Sequence, residues 1–262
     1  MSSSDHQAYD DDLTALLAAV WGEGFLSPGG TEEVDRLLAG VELNSKAILD
    51  IGCGLGGMDV HICKSHTSAQ VTGIDVDVSL IEKCKALAGK HALVENLSFQ
   101  LVSPGPLPFE EGSFDVVTSK DSILHIVDKH ALAADVFRVL KPGGIFAASD
   151  WLAGYRHEPS PEMQAYVDAE DLGFGMASAV TYRQAMDEAG FENIDFVDRN
   201  EWYRGVARAE RERLTGSLYT QLSSAVGREF LDRQIEVWNL MIVALDQGQL
   251  CPTLLRGEKL LC

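Results

Sequence analysis

"ILDIGCGLGG", Ile48 to Gly57, sets three apolar residues and one acid before a run rich in glycine. An apolar stretch of this kind, ended by glycines, reads as a buried strand entering a turn. Bare backbone at Gly52 and Gly54 lets a ligand approach closer than any Cβ would allow. Taken alone, the loop suits a tight strand-to-helix turn or a dinucleotide site as well as anything else. Its acid, Asp50, adds information: a carboxylate there repels a pyrophosphate and suits an ammonium or an amino-acid moiety. Further on, "VTGIDVD" ends in Asp75, placed as an acceptor for the two hydroxyls of a ribose.

Outward from this stretch the chain alternates. "MDVHICKSH", "SLIEKCKALAGKH" and "HALAADVFRVL" predict helices; "AQVTGIDVD", "LSFQLV", "SFDVVTSKD" and "GGIFAASDW" predict strands. Strands separated by helices of about a dozen residues indicate βαβ units and a parallel sheet. Before the loop, "LTALLAAVW" and "TEEVDRLLAGV" predict two helices joined at "SPGG", the second capped by Thr31. After Trp151 the rhythm changes. "PSPEMQAYVDAEDLG" and "TYRQAMDEAGF" read as helices and "NIDFVDRN" as a strand. The stretch from Val206 to Gly248 reads as a long helix broken once, near Gly227. This last part is expected to cap the substrate side, or to offer a dimer surface.

"LDIGCGLGG", Asp75 in "GIDVD", "FDVV" and "LKPGG" together resemble the sequence blocks of the class I S-adenosylmethionine-dependent methyltransferases, over roughly Ala47 to Asp150. The resemblance implies an α/β, Rossmann-like fold: a seven-stranded, mostly parallel sheet with one reversed strand and helices on both faces. An N-terminal helical lid (1–40), a cofactor-binding core (41–150) and a cap completing the sheet (151–262) are the expected units. It implies S-adenosylmethionine as cofactor, with S-adenosylhomocysteine as product. Gly52 and Gly54 would line the methionine portion, and Asp50 would support the loop or meet the amino group. Asp75 would take the ribose and Val76 would pack on the adenine. Members often carry an Asp after the third strand; here Ser103 and Pro104 stand there, and a hydroxyl can accept the same hydrogen bond.

A narrower resemblance is to the phosphoethanolamine N-methyltransferases and related small-amine enzymes. It rests on "GEGFLSPGG", preceded by Tyr9, and on "SKDSILHI" with Lys120, Asp121 and His125. It implies that the N-terminal helix closes over the cofactor, with Leu26, Ser27 and Lys120 on the cofactor side. Tyr9 and His125 would latch the site and position the acceptor, Asp121 would hold its amino group, and Trp151 would line the substrate side. A neutral histidine can take the proton that an acceptor nitrogen sheds. The resembling family carries arginine, lysine and tyrosine for phosphate after its last core strand. Here "AYVDAEDLGFGM" offers Asp168, Glu170 and Asp171, leaving Arg156, Arg183, Arg204, Arg256 and Lys259 as the remaining anion-binding candidates.

Charge and cysteine content narrow the classes. With 40 acidic against 21 basic residues the net charge is −19, which opposes nucleic acid and anionic membranes. No apolar run reaches the ~20 residues of a membrane span, and no secretory leader pattern opens the chain. A cytoplasmic location is expected. The five cysteines show no CxxC pair, so free thiols and no metal site are expected. The expected activity is methyl transfer to a small amine-bearing metabolite by a monomer or homodimer. An S- or O-methyltransferase and a non-catalytic cofactor sensor are the competing expectations.

Overall fold

The computed structural model describes residues 9–155, 157–170 and 173–261. Arg156, Asp171 and Cys262 therefore lie outside the described residues. One seven-stranded sheet in the order β3-β2-β1-β4-β5-β7-β6 organises the chain. Its strands are β1 (Ala47–Ile51), β2 (Gln70–Asp75), β3 (Leu97–Leu101), β4 (Phe114–Lys120), β5 (Leu140–Ala153), β6 (Glu192–Asp198) and β7 (Leu250–Glu258). The first five pair in parallel, and β7 runs antiparallel between β5 and β6. The expected sheet with one reversed strand is present.

The period-two alternation of the strands divides the core. Ile48, Val71, Val116 and Ala147 pack against α2 (Gly30–Leu37), α3 (Gly57–Ser65) and α4 (Val78–Lys90). Leu49, Ile74, Val117 and Phe146 face α5 (Lys129–Val139) and α7 (Ala179–Ala189) on the other side. A third core gathers α1 (Asp11–Trp21) with α6 (Pro161–Glu170), α8 (Asn200–Thr215), α9 (Tyr219–Ala225) and α10 (Arg228–Asp246). The first helix thus shares one interior with helices that begin 140 or more residues after it ends.

Three local expectations are corrected. Thr31 is not the cap of α2. Gly29 caps the helix in a left-handed conformation, and its carbonyl already accepts from the Glu33 amide at 3.2 Å, which places Thr31 inside the first turn. The long C-terminal helix breaks twice. Besides Gly227, the chain leaves α8 at Gly216, where the Arg213 carbonyl accepts from the Leu218 amide before α9 begins. The periodicity also gave no strand after Gly248, where β7 lies; Pro252 and Gly257 within it mask its alternation.

Candidate active site

A crevice of about 1290 Å³ opens along the carboxyl ends of β1 to β4, where ligands bind in open parallel sheets. Its floor is the glycine loop. The Gly52 φ is +74°, and a Cβ there would fall 1.7 Å from the Ser122 hydroxyl, so the approach of the β4 loop depends on glycine at this position. The loop is held by Asp75, which accepts from the amide of Gly54 and, with its other oxygen, from that of Asp77, both at 3.0 Å. The Cys84 thiol donates to the Gly54 carbonyl at 2.9 Å. The Val76 amide also favours the ionised form of Asp75, and the roughly four acceptor positions of a carboxylate leave room for a further donor.

Asp50 is 1% exposed, and its Oδ1 has no hydrogen-bond partner among the described residues. Burial, with the neighbouring Asp59 carboxyl, raises its pKa well above the usual carboxylate range. A buried pair of acids at the base of an open crevice, with no cation beside it among the described residues, is suited to an ammonium. Val76 and Val78 stand on the crevice wall with more than half their surface exposed, an apolar lip where a flat ring system would be dried. Ser103 and Pro104 line the same end.

Backbone-to-backbone contact docks the N-terminal segment on this loop: the Gly57 amide donates to the Gly24 carbonyl at 2.9 Å, and a Cβ on Gly57 would come within 2.5 Å of that oxygen. Lys120, at the end of β4, fastens the segment from the other side. Its ammonium donates to the Ser27 hydroxyl (2.6 Å), the Pro28 carbonyl (2.8 Å) and Asp121 (2.9 Å). Asp121 also accepts from the Ser149 hydroxyl at 3.0 Å and is held in a left-handed conformation, φ +55°. For a residue with a Cβ this backbone is costly, and here it turns the carboxylate into the cavity rather than onward along the strand.

The short 3-10 turn Ile123–His125 follows at once. It is pinned from below: buried Asp150 accepts from the Leu124 amide at 3.0 Å and from the Tyr182 hydroxyl, and Lys129 donates to the carbonyls of Ile123 and Ile126. Burial pushes the Asp150 carboxyl up to about 7 and Lys129 down to about 8. His125 is carried at the end of this turn, its ring 5.6 Å from Phe174.

Beyond His125 lies a second, smaller cavity of about 80 Å³. Its walls are aromatic: Tyr9, Trp21, Trp151, Tyr166, Phe174 and Trp238. The crevice and this chamber share Tyr9, Leu26, Ser27, Asp121 and His125, which form the neck between them. Burial, with the nearby Glu170, Asp75 and Asp121, raises the Tyr9 pKa, so its hydroxyl keeps its proton. Trp151 stacks edge-to-face on Tyr203 at 4.9 Å.

Of the residues expected from the sequence, Leu26, Ser27, Asp50, Gly52, Gly54, Asp75, Val76, Ser103, Pro104 and Lys120 line the crevice. Tyr9, Asp121 and His125 line the neck, and Trp151 the chamber. Not foreseen were Glu170 as a chamber residue, Trp21 and Trp238 as its wall, and Glu210 behind them. Among the described anion-binding candidates, none lines either cavity. Arg183 packs on Phe196, Arg204 pairs with Asp246, Arg256 reaches Glu258 and the Ala39 carbonyl, and Lys259 caps the carbonyls of Phe137 and Leu140.

Comparison with known proteins agrees with this architecture. Residues 43–200, more than half of the chain, match the model of a methyltransferase domain family. A phosphoethanolamine N-methyltransferase of Triticum aestivum is 30% identical over 88% of this chain, which spans only 44% of that relative's length. The O-methyltransferase resE of Aspergillus sclerotiorum is 31% identical, with 88% of this chain and 90% of the relative covered. In fold, the chain matches phosphoethanolamine N-methyltransferase 2 of Haemonchus contortus, solved with phosphomonomethylethanolamine and S-adenosylhomocysteine. The TM-score is 0.88 at 22% identity, covering 97% of this chain and 59% of that one. With its glycine loop, its strand-end acids and this match over most of its core, the chain belongs to the methyltransferase domain family, among the class I S-adenosylmethionine-dependent methyltransferases.

Proposed function

We propose that the protein transfers a methyl group to the nitrogen of a small amine-bearing metabolite. The observation that carries this reading is the neck. Tyr9, Asp121 and His125 lie where a crevice of cofactor size meets a chamber of small-molecule size. The crevice fits the cofactor on its own features: the buried acids Asp50 and Asp59 with no cation beside them among the described residues, a glycine loop on its floor, and the strand-end carboxylate of Asp75 on its wall. Asp50 would meet its ammonium, Asp75 its ribose and Val76 its adenine. When bound, S-adenosylmethionine supplies a methyl carbon on a sulfonium, open to displacement with the C–S electron pair leaving on sulfur.

The chain's own contribution is then alignment, exclusion of water and removal of one proton. Asp121, neutralised by Lys120 yet turned into the neck, orients an acceptor ammonium. His125, fixed by the Asp150 brace under its turn, takes the proton that an acceptor nitrogen must lose before its lone pair is free. Tyr9, kept protonated, closes the neck against solvent.

Labelled S-adenosylmethionine offered with glycine, sarcosine, dimethylglycine, ethanolamine, phosphoethanolamine and a simple phenol tests the reading. Transfer to at least one amine is expected, with His125→Ala lowering its rate on the order of 10²-fold. Transfer to the phenol alone would make the protein an O-methyltransferase, the activity named for the fungal relative. Cofactor binding without any transfer would leave it a sensor.

A further inference from the structure

Resting on the methyl-transfer reading, we propose that the acceptor is an amine carrying neither phosphate nor carboxylate, and that Glu170 is the specificity-determining anion that, together with Asp121, receives its ammonium at the aromatic chamber.

The charge inventory of the chamber makes the case. Among the described residues its ionisable lining is Tyr9, Asp121, His125, Tyr166 and Glu170, with no arginine or lysine. Asp121 already has the Lys120 ammonium at 2.9 Å. Glu170 has no ion pair among the described residues; its partner is the hydroxyl of Tyr166. Burial pushes this carboxyl up to about 7, so a cation beside it would favour its charged form. The rings of Trp151, Tyr166, Phe174 and Trp238 complete the wall. Aromatic faces and one half-buried carboxylate are a receptor for an alkylated ammonium, whose charge is diffuse and whose methyl groups are apolar.

The same inventory is hostile to an anion. A phosphate is recognised by guanidinium, ammonium or amide donors converging on it. The cations nearest the helical layer are engaged elsewhere. Lys120 holds Ser27, Pro28 and Asp121, and Arg199 holds Glu33 through two bonds of 3.0 Å while stacking on Trp202. Arg213 caps the carbonyls of Ala19 and Val20. An anionic tail in the chamber would face Glu170 with no described cation beside it, since the Lys120 ammonium is already paired with Asp121. The chamber's volume, about 80 Å³, is that of two or three waters and restricts the occupant to a small head group, with the open neck beside it taking the rest.

The test uses quaternary ammonium probes that cannot be methylated, so recognition is read apart from turnover. Choline, phosphocholine and glycine betaine are titrated calorimetrically into the protein saturated with S-adenosylhomocysteine. Choline is expected to bind at least tenfold more tightly than either anionic probe. Glu170→Gln is expected to weaken choline at least tenfold while leaving S-adenosylhomocysteine affinity within about twofold, which also shows that the variant is folded. Glu170→Asp should recover part of the loss. Equal or tighter binding of phosphocholine or betaine, no binding of any probe, or a Glu170→Gln protein with unchanged choline affinity would each overturn the proposal. Transfer to some amine with these outcomes leaves the methyl-transfer reading standing; failure to bind S-adenosylhomocysteine removes that reading first.

Discussion

Asp75 shows how much one side chain in this fold carries. Each oxygen accepts a backbone amide, and the pair ties the glycine loop to the end of β2. Desolvation raises its pKa, and the backbone amides of Asp77, Gly54 and Val76 pull against that rise. Asp75→Ala removes the brace and the ribose acceptor together. Hydrogen bonds to a charged group contribute about 1.5–3 kcal/mol each, so S-adenosylhomocysteine affinity should fall on the order of 10–100-fold by calorimetry. Asp75→Asn, which keeps the shape and one of the two acceptor oxygens, should lose less; equal affinities for all three proteins would contradict the role. Residues of this type are legible from sequence because the backbone itself demands them: glycine where φ is positive, an acid where a strand ends. Glu170 is not. Its meaning depends on Tyr9, distant in the chain, and on the cations that happen to be engaged elsewhere.

At the scale of elements, the chamber is held in shape by an acid no ligand touches. Glu210 on α8 is 4% exposed and accepts from the Trp21 indole of α1 (2.6 Å), the Trp238 indole of α10 (3.1 Å) and the Tyr203 hydroxyl (3.1 Å). Two of those rings are chamber wall. Glu210→Leu strands three buried donors, each costing about 1–3 kcal/mol in isolation. A net loss of about 3 kcal/mol would lower Tm by roughly 6–12 °C in a chain of this size. The KM for the acceptor should rise more than kcat falls, since the walls move while His125 stays on its own turn; a variant with wild-type Tm would count against the tripod. The signal for it was in the sequence. Tyr203, Ala207, Glu210 and Leu214 form one stripe at helical spacing, and an acid on that stripe is buried. "ARAERERL" hides it among solvated charges. The parallel strands were legible because two-sided burial makes them continuous apolar runs. β7 was not, since Pro252 and Gly257 interrupt it and its partners β5 and β6 are fixed only by the complete sheet.

For the whole molecule, the buried acids set how stability depends on pH. Asp59 and Asp150 are both fully buried, and desolvation pushes each up to about 7; Glu170 is pushed to about 7 by the same cause. Unfolded, these groups titrate near 4. Between those values the native state binds more protons than the unfolded chain. Their contribution is therefore complete below about pH 4 and is lost as pH rises through 7. Lys129 has the opposite sign: lowered to about 8, it contributes above its unfolded value near 10.4 and loses that contribution as pH falls through 8. The ligand-free protein should thus be least stable near pH 7–8. Its Tm should fall by roughly 5 °C or more between pH 5 and 7.5, in differential scanning calorimetry. The net charge of −19 also destabilises as acids ionise, but salt screens surface repulsion and leaves buried carboxyls almost untouched. The fall should therefore persist in 0.5 M salt, where the Debye length is on the order of 4 Å, and Asp59→Asn, neutral at every pH, should reduce it while Asp50, Asp150 and Glu170 keep their share. A Tm that is level or rising over this interval in high salt would show that the buried carboxyls are ionised without cost.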